Sequence, residues 1–98
     1  MTPRFIVRPL AEADVAEAFD WYEERSPGLG MEFLRAVDVT FAIIARTPQL
    51  FPQLQKNVRR ARLRRFPYGV FFIARADAIS VLAVMHAHRD PRRWLSRA

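Results

Sequence analysis

Val58-Arg59-Arg60-Ala61-Arg62-Leu63-Arg64-Arg65-Phe66-Pro67-Tyr68-Gly69-Val70-Phe71-Phe72 decides the fold. In the first half Arg60, Arg62 and Arg64 fall on one side of an extended chain and Ala61 and Leu63 on the other. That alternation describes a strand with one wet and one dry face. After the corner Phe66-Pro67 the alternation stops, and apolar residues occupy both faces of the next strand, which places it inside a covered sheet. A third apolar run follows the turn Arg75-Ala76-Asp77-Ala78 and completes a hairpin. The expected strands are 59–65, 68–75 and 79–86.

Upstream, Phe5-Ile6-Val7 predicts one more short strand. From about Ala11 to Arg25, Val15, Ala18, Phe19 and Tyr22 recur at the spacing of one helix face. Ser26-Pro27 is a start signal for a second helix, running to about Arg46 with Leu34, Val37, Phe41 and Ile44 inside. Thr47-Pro48 ends that helix, and residues 49–57 form a linker. The chain is therefore expected to be one α+β domain over 1–98, a helical hairpin packed on a small mainly antiparallel sheet in the order β-α-α-β-β-β.

With no cysteine in 98 residues, disulfides and thiolate chemistry are excluded. No apolar stretch approaches the roughly 20 residues of a membrane span. The N-terminal Met1–Arg8 stretch reads as a first strand, not a signal peptide, so the cytoplasm is the expected location. Charge is unevenly placed. Residues 1–45 carry eight acids against four arginines, whereas residues 46–98 carry twelve basic side chains against Asp77 and Asp90. All the basic residues except Lys56 are arginine, whose planar fork suits carboxylates and phosphates. An acidic protein segment and a nucleic acid both satisfy that chemistry.

Two polar constellations stand out. Arg59, Arg60, Arg62, Arg64 and Arg65 put five arginines into seven residues, a density that favours a binding face over a merely solvated one. The second is His86-Ala87-His88-Arg89-Asp90-Pro91-Arg92-Arg93-Trp94, a basic tail with one large aromatic. Arginine and tryptophan are enriched at binding hot spots; the alternative for Trp94 is that it folds back on the sheet while Asp90 pairs with a neighbouring arginine. His86, His88 and Asp90 share a side only if the strand continues that far. Arg89 and Pro91 end it, so no metal site and no cofactor is expected.

The segments Ala13-Asp14-Val15-Ala16-Glu17-Ala18 with Trp21-Tyr22-Glu23, Pro27-Gly28-Leu29-Gly30 with Phe33-Leu34, Pro48, Phe51-Pro52 and Val84-x-His86-x-x-Arg89-Asp90-Pro91-x-x-Trp94 together resemble the ParE/RelE superfamily of type II toxin-antitoxin toxins, and its ParE branch in particular. The resemblance implies a non-enzymatic toxin that inhibits DNA gyrase and so arrests replication and growth. It also implies neutralisation by a cognate ParD-like antitoxin in a hetero-oligomer. Arg59, Arg60, Arg62, Arg64 and Arg65 would meet the antitoxin; His86, His88, Arg89, Arg92, Arg93 and Trp94 would meet the target. The alternative is a RelE-like endoribonuclease that cleaves mRNA on the ribosome through His86, His88 and Arg89. That branch uses lysines and a C-terminal tyrosine, whereas this chain has one lysine and Trp94 in that place.

Overall fold

The computed structural model describes residues 2–98. A short strand β1 (Arg4–Val7) leads into two helices, α1 (Pro9–Arg25) and α2 (Leu29–Arg46), and a 3-10 turn (Pro48–Leu50). Then come β2 (Arg59–Arg62), β3 (Tyr68–Ala74), β4 (Ala78–His86) and a terminal helix α3 (Pro91–Leu95). The strands stand in the order β1-β4-β3-β2. β1 runs parallel to β4, and the other two pairs are antiparallel. No helix among the described residues is long and apolar enough to cross a membrane.

The unbroken apolar run of β3 does place it in the interior with both faces covered. Val70 and Phe72 face the helical hairpin, in one cluster with Ala18, Tyr22, Phe33, Val37 and Ile44. Phe71 and Ile73 face the other way, in a second cluster with Val58, Leu82 and Trp94. β4 serves both layers by means of a bulge. Phe71 pairs with Ala83 but Phe72 pairs with Val81, leaving Leu82 as the extra residue. The bulge lets Ile79, Val81 and Val84 all reach the helix side despite their uneven spacing. Trp94 of α3 closes the second layer, stacked on Phe71 with ring centroids 4.9 Å apart.

Two local expectations need correcting. Ser26 does not cap α2; it is the C-cap of α1, its N–H donating to the Tyr22 carbonyl at 3.1 Å. The start of α2 is held by a side chain from the preceding helix. Glu23 accepts from the N–H groups of Gly28 and Gly30, both at 2.9 Å, and puts a carboxylate at the positive end of the helix. Gly28 turns the chain with φ of 90°, and any Cβ at Gly30 would sit 2.8 Å from the Phe19 ring. Second, the arginine strand stops at Arg62 and not at 65, because Arg65 takes a left-handed φ of 70° in the β2–β3 connection. Arg64 therefore leaves the strand, and only Arg60 and Arg62 keep the alternation expected of all three.

Candidate functional site

Two of the concave surfaces gather several of these polar residues, and the two share no lining residue. The larger is a groove of about 860 Å³ between α2 and the β2 edge of the sheet. Its apolar wall comes from the outer side of α2, where Met31, Val39 and Ile43 are exposed, and from Phe51 and Phe66. Met31, Arg35, Val39 and Ile43 follow one another at four-residue steps, which aligns them along one stripe. The opposite rim is Arg62, Arg64 and Arg65. Arg65 pairs with Glu32 at 2.8 Å. Arg35, Arg62 and Arg64 have no ion-pair partner among the described residues.

The other two arginines of the dense stretch are committed elsewhere. Arg59 donates to the Phe51 carbonyl and, at 3.0 Å, to Gln49 Oε1, pinning the linker over the sheet edge. Arg60 lies on the opposite sheet face with its stem against Gly69 and donates to the Ala87 carbonyl at 3.3 Å. Burial, with a contribution from nearby Arg62, lowers the pKa of its guanidinium.

The second surface is a cleft of about 540 Å³ between α1 and the C-terminal end of β4. It exists because β1 stops early. β1 pairs with β4 only as far as Val81, and beyond that the backbone of β4 meets side chains instead of a strand. Asp14 Oδ2 accepts from the Val84 N–H at 3.0 Å, and Arg97 Nη1 donates to the Leu82 carbonyl at 3.1 Å. The same two side chains form an ion pair at 2.6 Å, each about four-fifths buried. An Asp–Arg pair thus stands where a longer β1 would have run, satisfying backbone groups that burial would otherwise penalise. Arg8 adds a bond from its Nη1 to the Arg97 carbonyl at 3.0 Å. Asp14, α1, β4 and the chain end are clasped together at one point.

The tail segment is arranged around that clasp. Asp90 caps α3, accepting from the Arg92 N–H at 2.9 Å, with Pro91 at the first helical position. It also pairs with the Arg92 guanidinium at 2.6 Å. These bonds to Arg92 hold the Asp90 carboxyl well below its usual range, at about 2. His88, Arg89, Arg92 and Arg93 are exposed and His86 is half-buried. Trp94 is not at the surface, being only 3% exposed. Its expected contact with a target is corrected on that ground: its apolar partner is Phe71.

Tyr68, His86, Arg89 and Glu17 all border the cleft. Burial raises the Tyr68 pKa, Arg89 opposes that shift, and Glu17 and Asp14 add to it. His86 and Tyr68 have ring centroids 6.0 Å apart. Lys56 lies in the turn before β2, outside this cluster. His86, His88 and Asp90 do not converge; among the described residues no group of three histidine or acidic side chains is placed to hold a metal ion.

Both surfaces sit on a fold and sequence with known relatives. The family model described as the ParE toxin of the type II toxin-antitoxin system, parDE, matches residues 5–91. Toxin ParE2 of Mycobacterium tuberculosis is 34% identical over 92 residues, which span 93% of this chain and 88% of that protein. A chain in the solved structure of the chromosomal ParDE TA system from P. aeruginosa matches with a TM-score of 0.77 at 17% identity, covering 87% of this chain and 96% of that one. At that identity the structural likeness speaks for the fold alone.

Proposed function

Since the chain belongs to the ParE family of type II toxin-antitoxin toxins, we propose that it arrests growth by binding DNA gyrase, without catalysing a reaction, and that a ParD-like antitoxin neutralises it. The carrying observation is the groove between α2 and β2, where exposed Met31, Val39 and Ile43, with Arg35 among them, face Arg62 and Arg64; none of the three arginines has an ion-pair partner among the described residues. That is the complement of an amphipathic helix with an acidic flank. An antitoxin segment that folds on arrival would bury its apolar side on α2 and bring carboxylates to the arginine rim. Of the five arginines in the dense stretch, Arg62, Arg64 and Arg65 are available for this; Arg59 and Arg60 act by holding the linker and the sheet.

The target surface in this reading is exposed His88, Arg89, Arg92 and Arg93 together with half-buried His86. Trp94 supports it from beneath by fixing α3. Supercoiling and DNA-cleavage assays with purified gyrase and antitoxin-free toxin test the proposal. Loss of supercoiling, or accumulation of cleaved DNA, is expected. Unaffected gyrase together with translation-dependent cleavage of mRNA would transfer the assignment to a ribosome-dependent nuclease acting through His86, His88 and Arg89.

A further inference from the structure

We infer that the outer stripe of α1 belongs to the target-binding surface, with Trp21 as its aromatic anchor and a protein as its partner. The inference rests on the tail segment being the target-contacting element. Leu10, Asp14, Glu17 and Trp21 succeed one another at three- and four-residue steps, so they form one stripe. The stripe lies directly beside the buried one of Ala11, Ala18 and Tyr22. Its two large apolar members are conspicuously uncovered, Leu10 at 59% and Trp21 at 48% exposure.

Trp21 is exposed and yet held in place. Its ring stands edge-on against Tyr22 at 5.0 Å, and the guanidinium carbon of Arg25 sits 4.0 Å from its centroid. An aromatic already fixed in its bound orientation loses little freedom when a partner covers it. Tryptophan is also the side chain most often found to anchor interfaces.

Across the cleft from this stripe stand Arg89 and Arg93 of the proposed target segment, exposed and without an ion-pair partner among the described residues. The cleft is therefore continuous with that segment, with the apolar anchors Leu10 and Trp21 flanking Glu17 on one wall and cations on the other. The matching partner surface offers an apolar side chain to seat between Leu10 and Trp21, and carboxylates to meet Arg89 and Arg93. Glu17, between the two apolar anchors, favours a hydrogen-bond donor at that point. Asp14 is already engaged by Arg97 and the Val84 N–H, and so takes no part. Nucleic acid fits less well, because Glu17 would face its phosphates.

Trp21→Ala tests the inference, with Trp21→Phe and Leu10→Ala alongside. Growth arrest is measured in cells without antitoxin, gyrase inhibition in vitro, and antitoxin affinity as the control for folding. Trp21→Ala is expected to raise the concentration for half-maximal gyrase inhibition at least tenfold and to abolish growth arrest. Trp21→Phe should restore most of both, and antitoxin affinity should stay within twofold. Full growth arrest by Trp21→Ala and by the Leu10→Ala/Trp21→Ala pair would overturn the cleft assignment. Loss of antitoxin binding with Trp21→Ala would overturn it too, assigning the stripe to the antitoxin, and so would a toxin homodimer that Trp21→Ala dissociates. If wild-type protein leaves gyrase untouched while Trp21→Ala still loses growth arrest, gyrase falls as the target and the cleft stands.

Discussion

The groove beside α2 and the cleft beside α1 are built from similar residue types by opposite means. The groove is open surface: Val39 is 56% exposed, and of its rim arginines Arg65 alone is paired, with Glu32. Its exposed stripe of Met31, Val39 and Ile43 lies outside both core clusters. The cleft is underpinned. Beneath its exposed arginines lie the stack of Trp94 on Phe71 and the Asp14–Arg97 pair, which together hold the chain end. A surface that a partner will order on binding needs little internal support. A surface that must present cations at fixed positions on a short tail has to be tied into the core. Substitutions in the groove should therefore change binding and spare stability, whereas substitutions under the cleft should change both.

The largest effect is expected from Trp94→Ala. Removing a buried aromatic of this size costs about 3–5 kcal/mol of folding free energy, read by chemical denaturation. The tail should detach with it, so growth arrest is lost even where the domain remains folded. A loss under about 1 kcal/mol would mean that α3 is only loosely applied, and the contrast between the two surfaces would collapse. Next comes Val39→Asp with Ile43→Asp. These place carboxylates where the apolar side of the antitoxin helix is expected and should weaken its binding at least tenfold, or about 1.4 kcal/mol. Folding stability should move by no more than about 0.5 kcal/mol per exposed site. The readout is titration calorimetry; unchanged affinity would remove the groove as the antitoxin's seat.

Sequence and structure agree where period and composition carry the signal. Alternation about Ala61 and Leu63 marks a strand with one dry face, and its absence from Tyr68 to Ala74 marks the covered central strand; the structure has both. The failures came where the deciding contact lies far along the chain or in an unusual backbone angle. Nothing local in Ser26-Pro27 reveals that Glu23 reaches forward to the amides of Gly28 and Gly30. The left-handed turn at Arg65 is a non-glycine exception that ended the arginine strand early. For the site, the arginine density pointed to a binding face but could not separate Arg62, Arg64 and Arg65 from the structurally engaged Arg59 and Arg60. The second apolar side of α2 is itself a signal in the sequence. Beside the inner stripe Leu34, Val37, Phe41 and Ile44, α2 carries Met31, Val39 and Ile43, and a helix apolar on a second side wants a second partner. The Asp14–Arg97 pair spans 83 residues and had no sequence signature at all.

That pair supplies a finer test of the contrast. Arg97→Ala leaves the four-fifths-buried Asp14 carboxylate without its cation, and a loss of about 1–2 kcal/mol is expected, below the range for fully buried pairs because some solvent remains. Hydrogen exchange should quicken at the Val84 amide, which Asp14 holds, while amides of α2 along the groove stay unchanged. Uniform acceleration through both regions would show that the clasp stabilises the whole fold and has no special connection with the cleft.

The smallest effect concerns Asp90, and its sign follows from its bonds. Its folded-state pKa of about 2 lies below the ordinary 3.8 because Arg92 donates to it from side chain and backbone. A depressed carboxyl pKa contributes stability that is fully present above the unfolded value and is lost as pH falls through the folded one. The α3 cap should therefore persist through mild acid and release only as the pH approaches 2. Carboxyl chemical shifts of Asp90 followed by NMR give the midpoint directly, and Asp90→Ala should fray α3 already at neutral pH with Trp94 still buried. Because the pair with Arg92 lies at the surface, little of this reaches global stability. It bears instead on where Arg92 and Arg93 point, so gyrase inhibition should weaken in that variant while antitoxin affinity does not. A midpoint near 4 would show that Asp90 is not held by Arg92 in solution, leaving the order of the tail to Trp94, Arg97 and the Arg8 bond to the Arg97 carbonyl.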